Sequence, residues 1–372
     1  MSQEVLHEVL GGVGVITLHR PQAMNALSLT MVREIIQLLQ AWESDPGVHG
    51  VLLQGAAREA KGGQPGSVHF CAGGDIRFLF EAGSAGDPNV EAFFTEEYAL
   101  DHRLHTYPKP VVAWLDGVVM GGGMGLAQAA RLRVATGRVR MAMPETRIGL
   151  FPDVGGGFFL SRCLGAMGEY LGVVGAQVCA ADALALGLAD VVVGDGALPA
   201  LLQGLRQQPL AAPGDLLPRV RACARSHPLA SLAQPVIAPH LAAIDHHFSQ
   251  PSLQGIEASL LADDSDWARD TLAHMANNSP LMMAVTLAQI RHARGMALAD
   301  VFRMERTIVH RCFEPREGGT CEVLEGIRAL VIDKDHAPAW RPSTIAEVTD
   351  EMVERHFVPV WSAAAHPLST LN

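Results

Sequence analysis

The chain is poor in positive charge and lacks the signatures that announce a chemistry at sight. Its 28 Lys and Arg face 39 Asp and Glu, for a formal net charge of −11. A sequence-independent nucleic-acid binder needs basic excess to neutralise phosphates, so that class is set aside. G-x-G-x-x-G, G-x-x-x-x-G-K-[ST] and H-E-x-x-H are all missing, so no standard dinucleotide, P-loop or zinc-protease motif is present. G-x-S-x-G is missing too, which argues against an α/β-hydrolase serine. The six cysteines, Cys71, Cys163, Cys179, Cys223, Cys312 and Cys321, form no C-x-x-C pair. They read as reduced thiols and imply a cytoplasmic protein. "MSQEVLHEVLGG" at the N-terminus is acidic where a signal peptide is basic. The longest apolar stretch, "PVVAWLDGVVMGGGMGLAQAA", carries Asp116 and a glycine cluster, so no membrane span is expected. The 372 residues, 49% hydrophobic, suffice for a substantial core in one large or two medium domains.

Periodicity gives the class. "GVGVITLHR" (12–20), "HGVLLQG" (49–55) and "PVVAWLDG" (110–117) read as strands, and "LRVATGRVRMAMP" (132–144) as two strands about a Gly turn. "SLTMVREIIQLLQAWESD" (28–45), with Ser28 as N-cap, and "VEAFFTEEYALDHRLHTY" (90–107) read as helices. "AKGGQPGSVHF" (60–70) is a Gly/Pro-rich loop. Strands and helices alternate to about residue 195, an α/β pattern. Prolines then cluster at 209–239 and the later segments look helical, among them "DLLPRVRACAR", "LMMAVTLAQIRHARG" and "LADVFRMERTIVHRC". The expected division is 1–205 and 206–372. His102 and His105 share a helix face and read as ordinary surface or core histidines, and His246-His247 lacks the ligand pattern of a zinc site. No metal is expected.

Three stretches stand out. "GGGMG" (121–125) sets glycines at a strand-to-helix junction, where backbone N–H groups lack partners and a ligand oxygen can approach. A tight packing corner is the ordinary alternative. "FCAGGDI" (70–76) has the same logic, with Asp75 at the start of a helix. "MPETRIGLFPDVGGG" (143–157) places Glu145 and Asp153 eight residues apart among apolar residues and glycines, with only Arg147 near to pair with them. Such carboxylates cost free energy unless paired, hydrogen-bonded or engaged in chemistry. Asp153 has an ordinary role open to it, as N-cap of the following helix. Glu145 has none.

In chain order, "FCAGGDI", "GGGMGLA" and "MPETRIGLFPDVGGG" resemble the crotonase superfamily, which handles acyl-CoA thioesters, and "ITLHRPQAMNALSLTM" (16–31) extends the likeness. Within it, "RVATGRVRMAMPETRIGLFPDVGGGFFLSR", "EGIRALVIDKDHAPAWRP" and "EVTDEMVERHF" are similar to the 3-hydroxyisobutyryl-CoA hydrolase group. The resemblance implies a crotonase-like spiral of ββα repeats with a helical C-terminal region. It implies an oxyanion hole from the N–H groups of Gly74 and Gly122, and a homo-oligomer, trimer or hexamer. Hydratases of the superfamily use two glutamates. The second matches Glu145. At the place of the first stands Gly125, while Asp153 replaces a usual glycine. One carboxylate is lost and another gained, which implies a thioester hydrolase with Glu145 and Asp153 as its catalytic pair. Glu145 would either attack the thioester or activate water. Glu97 matches a substrate-contacting glutamate, and the solvated face of a helix is its ordinary alternative. Arg20 or Lys109 would meet the CoA phosphates. The expected reaction is hydrolysis of 3-hydroxyisobutyryl-CoA, or a close 3-hydroxyacyl-CoA, in valine catabolism. No cofactor is needed, since coenzyme A is part of the substrate. An enoyl-CoA hydratase/isomerase and a non-catalytic acyl-CoA-binding scaffold are the rival readings.

Overall fold

The computed structural model describes residues 3–59, 66–314 and 321–372. Residues 60–65 of the expected Gly/Pro-rich loop lie outside them. Two compact units arise, each from three chain segments. One comprises Met1–Gly74, Leu100–Met141 and Val178–Ala238; the other comprises Asp75–Ala99, Ala142–Gln177 and Pro239–Asn372.

In the first unit a six-stranded sheet has the order β1 (Val5–Leu10), β2 (Val13–Leu18), β3 (Gly50–Gly55), β4 (Val111–Leu115), β6 (Leu132–Thr136), β9 (Val191–Val193). β1 pairs antiparallel with β2, and all later pairs are parallel. Parallel strands covered on both faces read as continuous apolar runs, as "VVAWL" of β4 does, buried throughout. A smaller sheet joins β5 (Val118–Met120), β7 (Arg140–Ala142) and β8 (Val178–Cys179). The ββα repeat is visible in β4, β5 and the helix Gly122–Ala129: the first strand enters the larger sheet and the second the smaller one. β6 and β7 repeat it. β1 escapes a pattern-based reading because its four central residues are exposed, so no burial alternates along it.

The expected linear division at residue 205 falls inside the first unit. The helices Ala197–Gln207 and Leu216–Ser226 cover the sheet, with Leu201, Leu205 and Val220 packed on Val15, Leu52 and Val134. Their apolar stripes are buried against it. The helix 28–45 forms as Leu29–Ser44, and the Ser28 hydroxyl accepts the Met31 N–H at 3.1 Å.

The second unit is helical. Its central helix Pro280–Ala293 packs on Met167–Val174 and Gly156–Leu160, and Leu298–Cys312 packs on Gly156–Leu160 as well. Among the described residues no helix is long and apolar enough to cross a membrane.

Candidate active site

The first unit carries the glycine motifs. The segments around Cys71 and Val119 run side by side through a parallel bridge, and the Met120 N–H donates to the Cys71 carbonyl at 3.0 Å. Each glycine of the triplet has a different reason. Gly121 sits at φ +50° as the residue before the helix. Gly123 has no room: a Cβ there would lie 2.4 Å from the Cys71 carbonyl oxygen. Gly122 opens the helix, so its N–H has no partner within it. Gly73, at φ +103°, lies against the segment before Gly122, and a Cβ on it would stand 3.2 Å from the Met120 carbonyl oxygen. Gly74 follows, bridged to Leu27. No acceptor is recorded for the N–H of Gly74 or of Gly122 among the described residues. Two donors without an acceptor among the described residues therefore lie on neighbouring segments.

The expected phosphate-binding cations are engaged elsewhere in this unit. Lys109 Nζ donates to the carbonyls of Trp42 and Asp45 at 2.5 and 2.7 Å. Arg20 pairs with Glu4 and donates to the Ala26 carbonyl. His102 is buried, and burial drives the His105 pKa down to about 4.

The second unit carries the acids. Glu145 starts a 3₁₀ turn, Glu145–Ile148, pinned where the Thr146 carbonyl accepts the Ser279 N–H at 2.9 Å. Glu97 lies on the helix Asn89–His105, and Asp153 on the loop before Gly156–Leu160. Glu97 is 2% exposed, and Glu145 and Asp153 are 5% exposed. Glu97 is thus no member of a solvated face. Arg147 points to solvent and forms no recorded ion pair with either acid among the described residues. One oxygen each of Glu97 (Oε1) and Glu145 (Oε2) has no hydrogen-bond partner.

Three buried acids without a cation must hold protons more tightly than acids in water. Burial, then the Asp153 charge, pushes Glu97 well above its ordinary range. Burial, then Asp153 and more weakly Glu97, does the same to Glu145, opposed by its own backbone N–H. Asp153 rises by burial to about 7, held back by the Tyr98 hydroxyl and by its own N–H. Such acids titrate as a set. A carboxyl raised to about 7, as Asp153 is, can both take and return a proton near neutrality.

The N-cap alternative for Asp153 is not what forms. Gly155 is the residue before the helix, at φ +82°, with no side-chain cap. The Asp153 carboxylate instead accepts the Tyr98 hydroxyl at 2.8 Å. Asp75, by contrast, does cap its helix Ile76–Ala85, accepting the Phe78 N–H at 3.3 Å. Sequence reasoning missed Tyr98, whose ring is wedged between Phe94 and Phe302, and Glu305. Glu305 had a readable signal: it interrupts the buried stripe Val301, Phe302, Ile308, Val309 of its helix. Among the described residues no cluster of His, Cys, Asp and Glu is arranged to hold a metal ion.

Residues 13–357 match the enoyl-CoA hydratase/isomerase family. The chain is 38% identical over 359 residues to the mitochondrial 3-hydroxyisobutyryl-CoA hydrolase of Gallus gallus, covering 96% of this chain and 90% of the relative. It is 35% identical over 366 residues to that of Homo sapiens, covering 97% and 90%. Its structure is similar to a carnitinyl-CoA dehydratase from Mycobacterium thermoresistibile, with a TM-score of 0.85, 34% identity and coverage of 96% and 97%. An enoyl-CoA hydratase from Rhodobacter sphaeroides 2.4.1 gives a TM-score of 0.83, 34% identity and coverage of 96% and 98%. The expected cytoplasmic location is corrected by these relatives, whose mitochondrial names point to that organelle instead. Reduced thiols do not choose between one reducing compartment and another.

Proposed function

The chain belongs to the enoyl-CoA hydratase/isomerase family, and from that premise we propose a division of labour for its hydrolysis of the 3-hydroxyisobutyryl-CoA thioester. It is an acyl-CoA thioester hydrolase, and the role is consistent with valine catabolism. Coenzyme A enters as part of the substrate, and no step calls for a cofactor. The observation that carries the assignment is the buried trio Glu97, Glu145 and Asp153, which among the described residues pairs with no cation and leaves oxygens of Glu97 and Glu145 unpartnered. A protein keeps such a cluster at a cost in stability, which supports the catalytic reading.

The N–H groups of Gly74 and Gly122 receive the thioester oxygen. As the carbonyl carbon becomes tetrahedral, charge grows on that oxygen, and losing one such donor costs roughly 10²–10³ in rate. Glu145 attacks the carbonyl carbon as its ionised carboxylate, the C–S bond breaks, and CoA leaves with its sulfur reprotonated. Water then opens the acyl–Glu145 anhydride. Asp153, poised near neutrality, supplies the proton to the thiolate and takes one from the water. If Glu145 instead activates water for direct attack, no anhydride forms. Hydroxylamine separates the two, because it converts only an anhydride to a hydroxamate on Glu145. Glu97 binds the 3-hydroxyl group through its free Oε1.

Hydratase chemistry is the rival that the structural relatives bring to mind. It needs a carboxylate where this chain has Gly125. Incubation with 3-hydroxyisobutyryl-CoA and with crotonyl-CoA decides. Free thiol released from the first supports the hydrolase, whereas loss of enoyl absorbance from the second without thiol release refutes it.

A further inference from the structure

We propose that Glu305, assisted by Gln289, is the positioning residue that holds the Asp153 loop in its working geometry. The inference rests on the catalytic reading of Asp153 given above.

Within the loop the Gly156 N–H donates to the Asp153 carbonyl at 2.7 Å, and the backbone between them is strained. Val154, next to Asp153, sits at φ +53°, a conformation that a β-branched residue avoids. Gly155 follows at φ +82°. Strain of this kind persists only where surrounding groups over-determine the backbone. The side chains that do so come from about 150 residues away. Glu305 Oε2 accepts the Gly155 N–H at 2.8 Å, and Oε1 accepts the Gly157 N–H at 2.8 Å. Gln289 Nε2 donates to the Pro152 carbonyl at 2.7 Å and to Glu305 Oε1 at 3.0 Å. Carbonyl 152 and amides 155 and 157 are thus all gripped, on both sides of Asp153. Glu305 and Gln289 are fully buried, so water does not compete for these bonds.

A carboxylate is the right group for the grip. Its two oxygens accept at separate points, Oε2 from Gly155 and Oε1 from Gly157, whereas an amide has a single acceptor oxygen and an apolar side chain has none. Burial still lifts its pKa to about 8, with the Gly155 and Gly157 N–H groups opposing that rise. A fourth buried acid so close to Asp153 is a poor choice for packing alone. From the other side Tyr98 fixes the Asp153 carboxylate through its hydroxyl. The carboxylate and its backbone are therefore held by separate groups, as a site requires when misplacement by about 1 Å costs on the order of 10² in rate.

The test is a double-mutant cycle with Glu305→Ala and Asp153→Asn, read by steady-state thiol release from 3-hydroxyisobutyryl-CoA. Glu305→Ala is expected to lower kcat about 10- to 100-fold with KM within about threefold, because the loss lies at the reacting centre. In the Asp153→Asn background the same change is expected to cost less than about twofold, since the group it positions is already gone. Glu305→Gln keeps one acceptor and the side-chain volume, and is expected to retain more activity. It carries the same cycle if the alanine variant does not fold. Unchanged kcat, a loss confined to KM, or an equal loss in both backgrounds overturns the positioning role. An Asp153→Asn enzyme that turns over like wild type overturns the reading of Asp153 itself, a distinct failure visible in that single variant.

Discussion

Asp153→Asn separates a catalytic acid from a structural one by moving activity and stability in opposite directions. The substitution keeps the shape and leaves an oxygen to accept the Tyr98 hydroxyl. It removes a charge the fold opposes. A carboxyl whose pKa is lifted from 3.8 to about 7 penalises its ionised form by about 4 kcal/mol. The sign follows from proton uptake: between pH 4 and pH 7 the folded state binds the proton that the unfolded state has released. Stability therefore falls as pH rises through that window, and the full penalty is present above it. The asparagine variant escapes it. Its melting temperature is expected to match wild type below pH 4 and to exceed it by a few degrees at pH 8. Glu145 and Glu97 also lose a repelling neighbour. Thiol release from 3-hydroxyisobutyryl-CoA is expected to fall at least about 10²-fold, the scale of a lost acid–base group. Thermal melts across pH 4–8 and a free-thiol assay at pH 7 measure both quantities. A variant that is less stable at pH 8 and retains wild-type turnover would refute the reasoning, since that is the behaviour of a residue kept for structure.

Glu145→Gln is expected to abolish thiol release at least as completely, and hydroxylamine should trap no hydroxamate on the variant. Gly122→Val should remove turnover while the far-UV circular dichroism stays close to wild type, because the side chain crowds a free N–H at the start of a short helix. Glu97→Gln should raise KM up to about tenfold for 3-hydroxyisobutyryl-CoA and leave it nearly unchanged for isobutyryl-CoA, the scale of one hydrogen bond. Equal effects on both substrates would remove Glu97 from the hydroxyl.

Local pattern was enough for much of this protein. The buried run of β4, the Ser28 cap and the turn between β6 and β7 depend on residues a few positions apart, and each formed where the sequence placed it. The glycine triplet and the Glu145–Asp153 spacing were legible for the same reason: bare backbone and unpaired charge are conspicuous in an apolar stretch. What the carboxylates touch was not legible. Tyr98 and Asp153 are 55 residues apart, and Gly155 and Glu305 150 apart, so no local period joins them. Asp153 met every local condition for a helix cap, yet Gly155 took that place and a distant tyrosine took the carboxylate. Segment order also hid the two units, because each gathers three stretches of chain. Sequence by itself determined which groups were available. Only the tertiary structure decided which of them lost water together, and that shared burial, more than any single residue, sets the proton affinities of the acids.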